Sequence, residues 1–213
     1  MTIYPASVTK PASVTKPASV TWPAAGNFAS KKRMIFEGDS ISNPNFADPY
    51  KWTEQLAGLS NYSPVCTPQY TAVSGSTSTG ALDRIPLYPT LPNGETGIFF
   101  LLIGINDLLA SVGSATILAN ITTLISAAAA LTYRCVVLEI FSNVNVSAPQ
   151  ETERQAVNTG LSGVGAHWIV PTATLLSDWT NLTYFNADGT HLTTAGGLVI
   201  ANWVNTNLLP AAV

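Results

Sequence analysis

The sequence predicts one doubly wound α/β domain, with about five parallel strands flanked by helices and an extended repeat at its N-terminus. Three observations carry this expectation. Gly97–Ile103 is an unbroken apolar run, and such a run implies burial on both faces, as inside a parallel sheet. From residue 33 onward, short apolar runs alternate with helical patterns, the rhythm of strands joined by right-handed helical crossovers. The first 29 residues share none of that rhythm. With 213 residues, 46% hydrophobic and only 10% charged, the chain can build a sizeable core. Its surface must then be covered mainly by Ser, Thr, Asn, Gln and backbone.

Along the chain, Pro-Ala-Ser-Val-Thr-Lys occupies 5–10, recurs at 11–16, and recurs again at 17–22 with Trp22 in the last slot. Proline at every sixth position excludes a continuous helix or a central strand and favours extended chain. Three hexads are too few to build a core, so 1–29 reads as a linker or stalk and 30–213 as the folded domain. Arg33–Glu37 is the first strand, ending at Gly38. Residues 49–58 place Trp52, Gln55 and Leu56 at helical spacing, and Val65–Val73 is the second strand. Gly97–Ile103 is the third. Ser114 can cap a helix whose apolar stripe is Ile117, Ile121, Leu124, Ile125, Ala128 and Leu131. Cys135–Ile140 is the fourth strand, 150–160 a helix, and His167–Val170 the fifth strand. Thr193 or Thr194 opens a last helix reaching Leu208.

Charge and composition narrow the function. The net charge is −3, and six of the nine basic residues fall within the first 51, which argues against nucleic acid or an acidic membrane as partner. No apolar run is long enough to span a bilayer, and no signal-peptide pattern stands at the N-terminus. Two cysteines (Cys66, Cys135) and two histidines (His167, His191) are too few for a Cys/His zinc site at ordinary spacing. No metal or cofactor is expected. The low-charge surface and the repeat favour an extracellular or virion-associated setting over the cytoplasm, and the repeat offers a route to a homo-oligomer.

In doubly wound sheets, functional groups collect at the carboxyl ends of the strands. Gly38-Asp39-Ser40 follows the first strand, Gly104-Ile-Asn106-Asp107 the third, and Asp188-Gly-Thr-His191 precedes the last helix. A serine hydroxyl becomes a useful nucleophile when a base takes its proton and a carboxylate holds that base in the right tautomer. Ser40, His191 and Asp188 are those three types. An aspartate three residues before a histidine can reach Nδ1 and leave Nε2 for the serine.

These blocks, in this order, resemble the SGNH/GDSL hydrolases: Gly-Asp-Ser after the first strand, a glycine in a second block, Gly-x-Asn-Asp in a third, and Asp-x-x-His near the C-terminus. The second block, Ser74-Gly75 through Arg84-Ile-Pro86, is similar to that of bacterial thioesterase/lysophospholipase members, although Thr71-Ala72-Val73 stands where many relatives carry an Asn. The resemblance covers about 34–207. It implies an SGNH-type (flavodoxin-like) fold with Ser40, Asp188 and His191 as catalytic triad. It also implies an oxyanion hole from the Ser40 N–H, the Gly75 N–H and the Asn106 amide, each donor being worth ~2.7–4 kcal/mol of barrier.

Plainer readings attach to the other candidates. Asp107 and Glu139 are read as structural hydrogen-bonding residues, and His167 as a structural histidine. Cys66 and Cys135 are read as free buried thiols, since strands two and four are not neighbours in a 2-1-3-4-5 order. The sequons at Asn61, Asn120, Asn145 and Asn181 are expected by chance. Phe46, Tyr50, Trp52, Trp179, Tyr184 and Phe185 flank the two catalytic segments, where most pack and some could line the mouth of the pocket.

For the reaction, the first expectation is an esterase removing small acyl groups, acetyl above all, from carbohydrate. A lysophospholipase or thioesterase is the second. A glycan-binding surface or phage-tail module with a relic site is the alternative of another class. If His191 is the base, activity rises as its imidazole loses a proton.

Overall fold

Five parallel strands form a single sheet in the order β2-β1-β3-β4-β5 in a computed structural model that describes residues 32–45, 51–59, 66–92, 95 and 97–209. The strands are β1 (Lys32–Gly38), β2 (Cys66–Tyr70), β3 (Gly97–Leu102), β4 (Tyr133–Leu138) and β5 (Trp168–Val170). The hexad repeat, Phe46, Tyr50 and the Cys66 side chain lie outside the described residues. Central β3 is buried at every position, so both of its faces are covered, as its apolar run requires. Its register, with Phe36 beside Phe100 and Phe99 beside Cys135, builds the middle of the core. There Phe36 stacks on Phe100 at 5.2 Å and meets the edge of Trp52 at 5.4 Å.

Seven helices flank the sheet among the described residues: α1 (Trp52–Ala57), α2 (Ser78–Leu82), α3 (Ile105–Leu109), α4 (Ser114–Ala130), α5 (Ala148–Gly160), α6 (Thr172–Leu175) and α7 (Thr194–Asn207). The long helices α4 and α7 lie where periodicity placed them. Ile117, Ile121, Leu124, Ile125 and Ala128 are buried, while Leu131 is the C-cap. Thr193 caps α7 by accepting from the Gly196 N–H. Helix α5 begins two residues before its expected start, because Ser147 and Gln150 form a capping box. No helix in the described residues is long and apolar enough to cross a membrane.

The largest boundary shifts are in the second and fourth strands, the fourth ending at Leu138 rather than Ile140, while the others move by one residue. The second strand stops at Tyr70, since the N–H groups of Thr71 and Ala72 both turn onto the Phe36 carbonyl instead of continuing the ladder. The fourth strand starts at Tyr133, two residues early, with Tyr133 beside Gly97. The cysteines sit on non-adjacent strands, and Cys135 is a buried free thiol whose pKa burial pushes up to about 12. His167 ends a loop before β5, where its Nδ1 accepts from the Cys135 N–H.

Candidate active site

Segments after the carboxyl ends of β1, β2 and β3 meet the loop that precedes α7. After β1 the chain makes a tight turn, in which the N–H groups of Ser42 and Asn43 reach back to the Asp39 carbonyl. This turn presents Ser40, whose side chain is mostly buried. Ser40 Oγ lies 2.8 Å from His191 Nε2, and His191 Nδ1 lies 2.7 Å from Asp188 Oδ2. The three side chains expected to work together are therefore joined in one hydrogen-bonded chain.

Local geometry explains how a short loop holds that chain. Asp188 Oδ1 accepts from the N–H groups of Thr190 and His191, at 2.8 and 2.9 Å, so one carboxylate oxygen shapes the loop while the other faces the imidazole. Gly189 permits the turn with φ of +64°. Burial pushes the Asp188 carboxyl upward, but hydrogen bonds from the His191 side chain and from the His191 and Thr190 backbone outweigh it. The pKa therefore lies below the ordinary carboxylate range. An ionised Asp188 only accepts. Nδ1 then carries the imidazole proton, and Nε2 is the acceptor for the Ser40 hydroxyl.

A second set of groups approaches from β2 and β3. Gly75 adopts φ of +76°, and a side chain there would point into open space. Among the described residues, the N–H groups of Ser40 and Gly75 have no hydrogen-bond acceptor. Asn106, at the start of α3, gives one amide N–H to the Ser76 carbonyl at 3.0 Å, which leaves its other N–H. The loop is tied to the serine turn by Val73 N–H to Gly38 O (3.1 Å) and by Asn43 Nδ2 to Ser74 Oγ (3.2 Å).

Neighbouring acids have structural tasks. Asp107 accepts from both the Ser78 N–H and the Ser78 hydroxyl at 2.7 Å, holding the N-terminus of α2. Asp39 is fully buried, and Oδ1 accepts from the Ile41 N–H at 2.9 Å. Its Oδ2 has no partner among the described residues, and the carboxyl borders a small cavity walled by Ile41, Leu102, Ile140 and Phe141. Burial lifts its pKa to about 7. Glu139 Oε2 accepts from the Ala173 N–H, the strand-end role expected for it.

Two groups of residues escaped the sequence reading. Asn143 and Asn145, in the loop after β4, brace the Asp-His loop: both donate to Thr190 Oγ1, and Asn145 also donates to the Asp188 carbonyl. Their signal is an Asn-Val-Asn set that begins five residues past the end of a buried strand. Glu37, the one acid within the apolar run of β1, pairs with Arg84. The aromatic residues mostly pack. Trp52 and Phe185 are buried, and Trp179 and Tyr184 are half-buried against the core.

Residues 36–197 match the sequence profile of the GDSL-like lipase/acylhydrolase family. The chain belongs to this family. As a GDSL-like hydrolase it is a serine ester hydrolase, and its fold has solved counterparts. A member of the lipolytic G-D-S-L family from Veillonella parvula superposes with a TM-score of 0.70 at 18% identity, covering 83% of this chain and 98% of its own. The psychrotrophic esterase EstA from a Pseudoalteromonas species gives 0.65 at 17%, with coverages of 84% and 97%. Axe2, an acetylxylan esterase from Geobacillus stearothermophilus, gives 0.63 at 16%, with 84% and 95%. At these identities the likeness is one of fold. Among curated proteins, no sequence matches this GDSL-like chain.

Proposed function

We propose that this GDSL-like enzyme hydrolyses esters of small acyl groups, acetyl on carbohydrate foremost, with Ser40 as nucleophile, His191 as general base and acid, and Asp188 as the carboxylate that orients it. The observation that carries the reading is the hydrogen-bonded run from Ser40 Oγ through the imidazole to Asp188 Oδ2, at 2.8 and 2.7 Å.

Ser40 Oγ attacks the ester carbonyl while its proton passes to His191 Nε2. The carbonyl π pair moves onto oxygen, and the oxyanion is received by the Ser40 and Gly75 N–H groups and the remaining Asn106 amide N–H. Collapse breaks the bond to the alcohol, which leaves with the proton from Nε2. Water then gives a proton to the same nitrogen and attacks the acyl-Ser40 carbonyl, and collapse releases the acid and restores the serine hydroxyl. Asp188 keeps the proton on Nδ1 and stabilises the imidazolium formed in each half-reaction.

Two observations support a small acyl group: only 10% of the residues are charged, and the fold is shared with an acetylxylan esterase. A second reading, a lysophospholipase or thioesterase, draws on a different observation. Val73, Leu109 and Val144 are exposed apolar side chains on the segments next to Gly75, Asn106 and Gly189, where a longer acyl chain could lie. Turnover of p-nitrophenyl esters from acetate to palmitate separates the two. A maximum at acetate, with acetate released from acetylated xylan, is expected; a maximum at long chains transfers the assignment to lipids or thioesters.

A further inference from the structure

Glu37 is almost completely buried at the end of β1, one residue before the turn that carries Ser40, and its partner Arg84 comes from the segment after α2. Glu37 Oε1 accepts from Arg84 Nε at 3.0 Å, from Nη2 at 2.5 Å, and from the Gly38 N–H at 2.9 Å, while Oε2 accepts from the Tyr88 hydroxyl at 3.3 Å. The remaining guanidinium protons go elsewhere. Nη1 donates to Ser76 Oγ at 2.9 Å and to the Gly80 carbonyl at 3.0 Å, and Nη2 also donates to the Gly38 carbonyl at 3.2 Å. All five N–H groups of the fork are thus used.

A buried ion pair by itself adds little net stability over an apolar pair of the same volume, and Glu37 neutralises the arginine, so no net charge is directed at the reacting centre. What the fork supplies is geometry. It joins the carbonyl of Gly38, just before the serine turn, to the hydroxyl of Ser76, just after Gly75. Ser76 is gripped at three points: its hydroxyl by Arg84, its carbonyl by Asn106, and its N–H by the Val73 carbonyl. Gly75, with its left-handed φ and its own N–H lacking an acceptor among the described residues, is held between these ties. We infer that Arg84, anchored by Glu37, is a positioning residue that sets the Gly75 N–H against the Ser40 turn and so completes the oxyanion hole. This rests on the reading of Gly75 as an oxyanion donor.

Arg84→Lys keeps the charge but has three donors on one nitrogen, which cannot span Glu37, Gly38, Ser76 and Gly80 together. Its test pairs amide hydrogen exchange, which needs no substrate, with kinetics on p-nitrophenyl acetate. The expected result is exchange at Ser76 and Ser78 accelerated at least tenfold while the β3 amides keep wild-type rates. With it, kcat falls about tenfold or more, toward the 10²–10³ that loss of a whole donor causes, and KM stays within threefold. Unchanged exchange at Ser76 and Ser78 overturns the clamp, whatever the activity. Accelerated exchange with unchanged kcat overturns its catalytic consequence. A wild-type protein with protected Ser76 and Ser78 amides but no turnover overturns the functional reading instead, and leaves the clamp to the exchange result. If the β3 amides also speed up, Ser76→Ala decides, because it deletes the Arg84 contact at little cost in volume. A lower kcat at constant KM then supports the proposal, and wild-type kcat overturns it.

Discussion

Asp39→Asn keeps the shape of the side chain beside the nucleophile and removes its proton equilibrium. The asparagine carbonyl can still accept from the Ile41 N–H, as Asp39 Oδ1 does at 2.9 Å. The second oxygen, which has no partner among the described residues and borders apolar Leu102, Ile140 and Phe141, becomes an amide. Burial raises this carboxyl from 3.8 to about 7, with the Asp107 charge adding to the rise and the Ile41 N–H and Lys51 opposing it. Because the folded value lies above the unfolded one, the folded chain keeps a proton that the unfolded chain has lost between about pH 4 and 7. That contribution to stability is complete below the unfolded pKa, shrinks as pH rises, and is gone above the folded pKa. At about 1.4 kcal/mol per unit, the two units from pH 5 to 7 amount to ~3 kcal/mol. Urea unfolding followed by tryptophan fluorescence at pH 5, 6, 7 and 8 measures this. Groups common to both proteins cancel, so Asp39→Asn should gain on wild type by ~3 kcal/mol over the range. A stability difference that does not change with pH would refute the assignment of a buried, protonated Asp39.

Gly189→Ala puts a side chain at φ of +64° and against Val144, where it would strike Cγ1 first and lie 2.8 Å from Cβ. We expect ~1–2 kcal/mol from the backbone alone, together with a lower kcat, read by urea unfolding and ester turnover. Val144→Ala in the same chain should recover part of both, and no recovery would remove the steric explanation. Asp188→Asn should lower kcat by about 10²–10⁴ at similar KM, toward the smaller figure because the Asp188 side chain is half exposed. Wild-type kcat in that variant would contradict its orienting role. Cys135, fully buried with its thiol pushed up to about 12, should resist iodoacetamide in the native protein and react after unfolding, as mapped on its own peptide. Native labelling would contradict the packing of β4.

The fold was legible wherever burial imposes a simple pattern. Gly97–Leu102 reads as a central strand because every residue must be apolar, and α4 reads from its stripe because only one face is buried. The short helices α2, α3 and α6 have four or five residues each, too few to show a period. In α2 the local Thr77 cap is joined by a distant one: Asp107 holds the Ser78 N–H from 29 residues away in sequence. Ser40, His191 and Asp188 could be paired from residue type and strand-end position, because the chemistry demands those three groups together. The Asn143–Thr190 brace and the Glu37–Arg84 clamp could not be paired, since each joins residues 47 apart in sequence through contacts that only the folded sheet brings about. A lone acid inside the apolar run of β1 was the visible trace of the clamp. Its partner carried no mark of its own.

If Ser40 is an activated nucleophile backed by His191, covalent trapping shows it without knowledge of the natural ester. The protein is treated with diethyl p-nitrophenyl phosphate and examined by intact mass and peptide mapping. One diethylphosphoryl group per chain is expected, on the peptide containing Ser40, formed in step with loss of esterase activity. The adduct should be missing from Ser40→Ala and much slower to form in His191→Ala. A folded wild-type protein that takes up no label, or takes it up on another residue, would contradict the claim.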